Sequence, residues 1–265
     1  LIVKPAWSDT PQPPEVLAAC ERIRHHLGEL VDSHLNAPDD FDDIASSVIA
    51  ARDQETGAPF TRKELIDQLG VFFLAGHETT ASALTWAFYI LSAQPQWLER
   101  LREEIDRVAG DAPITFELTR QLPLVKAFFK ETLRLYPPIT FMPRVALREA
   151  TVAGRRLRKG ALVMIAPWTL QRHSKWWSDP HAFQPERFLP ENESALTPGA
   201  YIPFGQGPHT CVGAGFAQTE SVLILAELVR DFDWVLQPGQ TVRPAARMTT
   251  RPANQIMLHV AHRVP

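Results

Sequence analysis

Apolar residues recur with the spacing of amphipathic helices along the first third of the chain. One such run predicts a helix from Pro14 to about Leu35, with Cys20 on its apolar face and therefore in the core. A shorter helix is predicted from about residue 40 to 52, followed by a turn at 55–59. Proline and glycine, which interrupt regular structure, separate these segments.

The longest predicted element is a helix over residues 61–93. Thr61 and Glu64 have the spacing of a capping box, and no proline interrupts the run that follows. Such a helix is about 50 Å long, which is enough to cross a whole domain. Its middle is as apolar as a membrane span, but His77 and Glu78 lie at the centre, where lipid would penalise polar groups most. A buried helix with a polar notch beside a ligand accounts for both features.

The remaining pattern predicts a mostly helical chain with a small β-sheet. Helices and strand-like segments alternate with loops rich in proline, which are expected to be ordered but irregular. The predicted helices cover about 96–109, 121–136 and the stretch from Cys211 to about Arg230, and the predicted strands lie at 144–147, 151–152, 162–165, 243–249 and 255–261.

Composition narrows the class of protein. The 265 residues are 45% hydrophobic, enough for one large domain or two small ones, and the net charge of −3 argues against a nucleic-acid surface. The 2 cysteines form no C-x-x-C pair, which fits a reducing compartment, and no targeting segment opens the chain. These features predict a soluble, cytoplasmic protein without a transmembrane segment.

The segment Phe204-Gly-Gln-Gly-Pro-His-Thr-Cys-Val-Gly213 carries the clearest chemistry. It places Cys211 after a Gly/Pro-rich loop and before an apolar, helix-patterned run, where the helix dipole and unpaired N–H groups favour a thiolate. Gly205, Gly207 and Gly213 allow the backbone to approach a flat ligand. A thiolate on such a loop suits a metal-bearing macrocycle. The alternative is an ordinary buried cysteine beside a turn.

This segment resembles the haem-ligand loop of the cytochrome P-450 superfamily, F-x-x-G-x-(R/H)-x-C-x-G, with every fixed position filled. The resemblance implies the mostly helical fold of that family, with 61–93 as its long central helix, and haem b with Cys211 as the iron ligand. It extends from about Trp7 to His262. Family members are usually longer, so residues 1–265 are expected to be the C-terminal portion of a longer haem-thiolate domain of the soluble, bacterial type, whose N-terminal part is absent here.

A second motif lies in the predicted polar notch. The segment 75–80, A-G-H-E-T-T, lacks the second histidine of an H-E-x-x-H zinc site, because Ala81 stands there. It resembles instead the oxygen-activation motif of the cytochrome P-450 family. The resemblance implies that Gly76 opens the helix toward the haem, Thr79 holds a water near dioxygen, and Glu78 relays protons from solvent. The alternative is a Ser/Thr run whose side chains bond to their own helix.

Glu131 and Arg134 form an E-x-x-R pair on a predicted helix, which by default is a surface ion pair worth about 0.3 kcal/mol. The pair directly precedes L-Y-P-P, and a later segment, P-E-R-F, contains Arg187. Both features resemble the cytochrome P-450 family. The resemblance implies a buried structural network of Glu131, Arg134 and Arg187, for which the forked guanidinium of arginine is well suited.

Other site residues are implied by the resemblance alone. His209 stands where most members have an arginine that pairs with a haem propionate, which makes the charge there depend on pH. Arg144 is implied as a second propionate partner and Phe204 as a neighbour of the thiolate, while Gly205 and Gly213 complete the loop. The residues expected on the substrate side suit an apolar substrate but equally suit plain core: Phe72, Phe73, Ala75, Ile139, Thr140 and Phe141.

The predicted function is that of a haem-thiolate monooxygenase, which uses dioxygen, electrons and protons to hydroxylate or epoxidise a small apolar organic substrate. Glu78 and Thr79 are the predicted catalytic residues. Electrons are expected from a separate or fused reductase, a ferredoxin or a flavodoxin at the face nearest Cys211, because the sequence has no flavin or iron–sulfur motif. The alternatives are a peroxide-driven haem-thiolate peroxygenase and a non-catalytic haem- or gas-binding module.

Overall fold

The structure is a computed structural model that describes residues 11–53 and 55–263. It divides the chain into two compact units, of which the first ends at Glu78 and the second begins at Thr79, inside one continuous helix. The predicted mostly helical class is confirmed. Trp7, the expected start of the family resemblance, lies outside the described residues.

The described part of the first unit contains two α-helices and the beginning of a third. Helix α1 (Pro14–Asn36) starts with proline, whose missing N–H has no intrahelical partner to lose at that position. Helix α2 (Ile44–Ala50) is capped by Asp43, whose carboxylate accepts a hydrogen bond from the backbone N–H of Ser46 at 2.9 Å. A 3-10 turn, Pro38–Asp40, separates the two helices, so α2 begins later than predicted. The core of the unit consists of Val31, Ala45, Leu65, Ile66 and Leu69.

The prediction that Cys20 lies in the core is wrong. Its side chain is exposed, and so are those of Val16 and Ile23 on the same face. Packing of α1 begins further along the helix, where the side chain of Leu27 lies against Gly70 and Val31 is fully buried. The spacing of apolar residues therefore identified the helix correctly, but it could not show which turns of that helix meet a neighbour.

Helix α3 (Arg62–Ala93) is the 32-residue helix that the sequence predicts. Its capping box is formed as expected: the Thr61 N–H donates to the Glu64 carboxylate at 2.7 Å, and the Glu64 N–H donates to the Thr61 hydroxyl oxygen at 3.3 Å. Within the described ranges, no helix is both long and apolar enough to cross a membrane.

The second unit contains the end of α3 and further helices, most of which begin at a proline. The three long ones agree with the predicted segments, whereas the one-turn helices were not predicted. Their bounds are α4 (Pro95–Ala109), α5 (Phe116–Thr119), α6 (Pro123–Leu135), α7 (Pro167–Leu170), α8 (Pro190–Glu193) and α9 (Ala214–Asp231), with 3-10 turns at Pro185–Phe188 and Gly207–His209.

Helices α4, α6 and α9 pack with the second half of α3 around one apolar core, which includes the fully buried Leu91, Leu101, Phe128 and Leu225. A polar contact also fixes the start of α6. Both carboxylate oxygens of Glu104 on α4 accept backbone N–H groups of the first turn of α6, at 2.9 and 3.0 Å. The helix that carries Glu131 is therefore held at its first turn as well as along its length.

The strands form four two-stranded antiparallel sheets in the described part of the chain, where one small sheet was predicted. Strands β3, β5 and β7 were not predicted. Strand β3 lacks apolar alternation. It pairs with β2 across a tight turn, at which Ala153 and Gly154 have φ of 48° and 76°. The pairs are β1 (Met142–Val145) with β4 (Leu162–Ile165), β2 (Ala150–Val152) with β3 (Arg155–Leu157), β5 (Phe232–Leu236) with β8 (Leu258–His262), and β6 (Pro244–Ala246) with β7 (Thr250–Pro252).

Candidate functional site

The loop that carries Cys211 closes on itself through its backbone. The Cys211 N–H donates to the carbonyl oxygen of Phe204 at 2.8 Å. Gly205 and Gly207 have φ of 77° and 78°, in the left-handed region that favours glycine. At Gly205, a Cβ atom would in addition lie 3.4 Å from the carbonyl oxygen of His209. Glycine at these positions therefore permits the path that brings Cys211 back to Phe204.

The side chain of Cys211 is exposed, in contrast to an ordinary buried cysteine. The apolar side chains of Val212 and Phe216 beside it are 82% and 61% exposed. Gly213 caps helix α9, and the Cys211 sulfur lies 4.0 Å from the place where a Cβ of Gly213 would be. A thiol and two apolar side chains are thus exposed within six consecutive residues.

Strand β1 lies next to this loop, since the sulfur of Met142 is 3.6 Å from the Cβ position of Gly205. Arg144, two residues further along β1, is half-buried and donates to the carbonyl oxygen of Pro143 at 2.9 Å. No carboxylate among residues 11–53 and 55–263 forms an ion pair with Arg144. His209 is exposed at the end of a 3-10 turn in the same loop. The surroundings of Cys211 therefore include cationic or titratable groups suited to an anionic ligand.

The polar notch lies in the middle of α3, which is regular helix on both sides of it. Gly76 is exposed, and a Cβ there would meet nothing within 4 Å. Glu78 and Thr79 are half-buried, with interactions of their own, and Thr80 is buried. Gly76 and Glu78 belong to the first unit and Thr79 to the second. The two predicted catalytic residues are thus consecutive and both partly accessible.

None of the six residues predicted on the substrate side is a buried core residue of the described chain. In the first unit, Phe72 is half-buried, Ala75 is exposed, and Phe73 is 63% exposed with its ring stacked on that of His77 at 6.5 Å. In the second unit, Ile139 and Thr140 are half-buried and Phe141 is 50% exposed, directly before β1.

Glu131 and Arg134 are fully buried and pair through two hydrogen bonds, of 2.6 Å from Nε and 2.7 Å from Nη2. Burial raises the pKa of Glu131, and the hydrogen bonds and charge of Arg134 oppose that rise. Arg187 adds a second cation, with its Nε 3.6 Å from Glu131 Oε1. The structure therefore brings the three residues together, and the alternative of a surface ion pair does not apply.

The same network binds an irregular segment to α6. Glu131 accepts the backbone N–H of Gln184 at 2.8 Å. Arg134 donates to three backbone carbonyl oxygens, those of Gln171 at 2.8 Å, Pro180 at 2.7 Å and Ala182 at 2.9 Å. Because these groups are buried or nearly so, each needs a hydrogen-bond partner, and two side chains of α6 supply it.

Gln171 is a buried residue of this region that the sequence did not identify, since a single glutamine beside a one-turn helix carries no pattern. Its Nε2 donates to the carbonyl oxygens of Leu133 and Arg134, at 3.0 Å each. Its Oε1 accepts the backbone N–H of Ile202 at 2.9 Å. The amide therefore connects the end of α6 with the chain that leads into the Cys211 loop.

The residues around Cys211 fit a haem-thiolate cofactor. A cysteine thiolate is one of the known axial ligands of haem iron, and this thiol is exposed on a loop of restricted backbone geometry. Val212 and Phe216 offer apolar contact to a macrocycle, and Arg144 offers a positive charge to its carboxylates. The thiol ligand, the apolar side chains and the positive charge are therefore all features that suit the binding site of a haem.

Comparison with known proteins agrees with this geometry. A family model described as Cytochrome P-450 matches residues 6–260. Cyclooctatin synthase of Streptomyces melanosporofaciens is 36% identical over 233 residues, which are 87% of this chain and 50% of that protein. Pentalenene oxygenase of Streptomyces avermitilis is 35% identical over 224 residues, which are 84% of this chain and 50% of that protein. This chain therefore spans about half the length of these relatives.

Two further similarities bear on partners and fold. A bifunctional cytochrome P-450/NADPH–P-450 reductase of Gibberella moniliformis is 33% identical over 237 residues, which are 89% of this chain and 21% of that protein. Among solved structures, the heme domain of cytochrome P-450DA superimposes with a TM-score of 0.87 at 28% identity, over 94% of this chain and 55% of that chain.

Proposed function

Since this chain belongs to the cytochrome P-450 family, we propose that it forms the thiolate-bearing part of a haem monooxygenase. The exposed thiol of Cys211, on a glycine-shaped loop with apolar neighbours, is the observation that carries the proposal. A bound haem would supply the activation of dioxygen needed to insert one oxygen atom into an organic substrate. The tasks of binding, orientation and proton transfer fall to the residues of the chain.

Residues of the second unit hold the cofactor in this proposal. Cys211 binds the iron as a thiolate, and Phe204, whose carbonyl oxygen accepts the Cys211 N–H, fixes the loop behind it. Gly205 and Gly213 keep side chains away from the flat face of the macrocycle. Arg144 and His209 would bind its propionates.

Glu78 and Thr79 transfer protons in this proposal. Their positions on α3 are consecutive and half-buried, so that a carboxylate open to solvent precedes a hydroxyl group at the site. Glu78 takes up a proton from solvent, and the Thr79 hydroxyl passes it on through a water molecule that it holds. The Thr79 hydroxyl fixes the position of this water and therefore the direction in which the proton is passed on.

The substrate is proposed to be a small apolar organic molecule that is hydroxylated or epoxidised. Apolar side chains left outside the core are typical of binding surfaces. Ile139 and Phe141 of the second unit are partly exposed in this way, and so, within the first unit, are Phe72 and Phe73. Relatives named as a synthase and an oxygenase support an oxygenation reaction. The fused reductase of another relative supports electron supply by a reductase domain or a separate ferredoxin or flavodoxin, near Cys211.

The experiment that tests this function compares substitutions of the two cysteines, Cys211 and Cys20. Cys211→His is expected to abolish the red-shifted Soret band that thiolate ligation gives to the reduced, carbon monoxide-bound form. Cys20→Ala changes the other exposed cysteine, in the first unit, and is expected to leave that band unchanged. A Cys211→His protein that keeps the band would refute the assignment. Product formation with a reductase and dioxygen, compared with peroxide alone, separates a monooxygenase from a peroxygenase, and no product with either indicates a binding module.

A further inference from the structure

Gln171 connects two parts of the site that are far apart in the sequence. It follows the one-turn helix α7, and its side chain is fully buried between the end of α6 and the chain at Ile202. We propose that Gln171 is a positioning residue, whose amide holds the Cys211 loop in register with the buried Glu131–Arg134 pair. Its effect on the thiolate rests on the function proposed above.

On one side, Gln171 is joined to α6 through both its side chain and its backbone. The Nε2 group donates to the carbonyl oxygens of Leu133 and Arg134, at 3.0 Å each. The carbonyl oxygen of Gln171 in turn accepts the Arg134 guanidinium at 2.8 Å. These contacts fix Gln171 to the last turn of α6, where Arg134 is itself held by Glu131.

On the other side, three successive hydrogen bonds lead from Gln171 to Cys211. The Oε1 atom accepts the Ile202 N–H at 2.9 Å, the Ile202 carbonyl oxygen accepts the Gly205 N–H at 3.0 Å, and the Phe204 carbonyl oxygen accepts the Cys211 N–H at 2.8 Å. A shift at Ile202 therefore reaches the backbone of Cys211 through two hydrogen bonds and the peptide bond between Phe204 and Gly205.

The chemistry of the position requires a primary amide of this length. Only a carboxamide offers two N–H donors and a carbonyl acceptor on one planar group, and here its donors face two carbonyl oxygens while its acceptor faces an N–H. Methionine has a similar shape but would leave two buried carbonyl oxygens and a partly buried N–H without these partners, each at a free-energy cost. Asparagine keeps the amide but is one methylene shorter, so it reaches only one side.

The test compares Gln171→Met and Gln171→Asn with Gln218→Met. The control removes an amide of the same size whose bond, to the Ala214 carbonyl oxygen at 3.1 Å, stays inside α9. Hydrogen exchange of backbone amides in the purified protein is the first measurement. In Gln171→Met, exchange at Ile202 and Gly205 is expected to be about tenfold faster, from the loss of a buried hydrogen bond. Gln171→Asn is expected to show a smaller increase at the same amides, and it decides the question if the methionine variant does not fold.

The amides of Leu101 and Ile105, deep in the core of α4, distinguish positioning from general destabilisation. A purely structural role would accelerate exchange at these amides by the same factor as at the loop, and that outcome would overturn the proposal. The second measurement is the thiolate Soret band of the carbon monoxide complex, which is expected to lose intensity in Gln171→Met and Gln171→Asn but not in Gln218→Met. An unchanged band in both Gln171 variants would also overturn it.

Failure of the proposed function looks different. A wild-type protein without any thiolate band would refute haem-thiolate ligation by Cys211, whereas the exchange rates at Ile202 and Gly205, which need no haem, would still decide whether Gln171 holds the loop.

Discussion

Two glycines of the Cys211 loop have the same backbone conformation but different surroundings. Gly205 and Gly207 have φ of 77° and 78°, so a side chain at either position costs about 1–2 kcal/mol. A Cβ at Gly205 would also lie 3.4 Å from the His209 carbonyl oxygen, whereas at Gly207 it would meet nothing within 4 Å. At the scale of single residues, a comparison of these two glycines therefore separates the effect of backbone strain from that of contact with a neighbouring atom.

We expect Gly205→Ala to lower both the free energy of unfolding and the haem content more than Gly207→Ala does. Both variants carry the backbone strain, but only the first also brings a methyl group to the near limit of van der Waals contact with the His209 carbonyl oxygen, where a small shift disturbs the turn that precedes Cys211. Denaturant unfolding and the ratio of haem to protein measure the two effects. Equal losses in both variants would show that strain alone matters, and wild-type haem content in Gly205→Ala would show that the loop tolerates the shift.

At the scale of elements, His34 joins α1 to the start of α2. Its Nδ1 lies 2.8 Å from the Leu30 carbonyl oxygen and its Nε2 lies 3.1 Å from the Asp43 carboxylate. Both partners are acceptors, so this geometry favours the imidazolium form, in which both ring nitrogens donate. The ring is 5% exposed and stacks on Phe41 at 3.8 Å. Burial acts to lower the pKa of His34, but the bonds to Asp43 and Leu30 outweigh it, and the pKa is raised.

This geometry predicts that α2 is held less firmly at alkaline pH. A histidine whose folded-state pKa is raised contributes its full stabilisation below its ordinary pKa of about 6.5 and loses it as the pH rises through the higher, folded-state value. Hydrogen exchange of the α2 amides between about pH 6 and pH 9, corrected for the intrinsic rate, measures the loss. His34→Gln should remove the pH dependence, and His25→Gln, at an exposed position of the same helix, should retain it. A His34→Gln protein with the wild-type pH profile would refute the assignment.

At the scale of the whole molecule, the chain spans about half of its relatives, and its second unit is held together by contacts between distant segments. The pair Glu131–Arg134 binds groups of the irregular segment up to Gln184, and Gln171 continues that connection to the Cys211 loop. The long helices form the core, but these polar contacts determine where the loops around it lie.

Glu131→Ala is therefore expected to yield little soluble, haem-loaded protein. The substitution leaves Arg134 and Arg187 as buried or nearly buried charges without their carboxylate, and breaking such a pair costs about 3–5 kcal/mol. That is a large share of the ~5–15 kcal/mol by which domains are stable. Glu193→Ala breaks the more exposed pair of α8 with Lys130 and should cost at most about 1 kcal/mol. Soluble yield and thermal unfolding compare the two, and a Glu131→Ala protein equal to Glu193→Ala would show that the buried network is dispensable.

Local signals in the sequence determined much of this protein. Some signals act through the backbone of their own few residues, so helix positions and the loop could be predicted from them. They are the capping box at Thr61, the prolines at the first position of α1, α4 and α6, and the glycines of the Cys211 loop. The motif around Cys211 could be identified from the sequence because its ten residues are contiguous.

Only the tertiary structure decided what depends on segments far apart in the chain. Cys20 has the spacing of a core residue, yet it is exposed because the packing of α1 begins at Leu27. Strand β5 pairs with β8, from which β6 and β7 separate it along the chain, so the residues of β5 could not show which strand it pairs with. Gln171 matters through partners at Arg134 and Ile202, which are 37 and 31 residues away in the sequence. A buried polar group is defined by the partners that satisfy it, and those partners become neighbours only when the chain has folded.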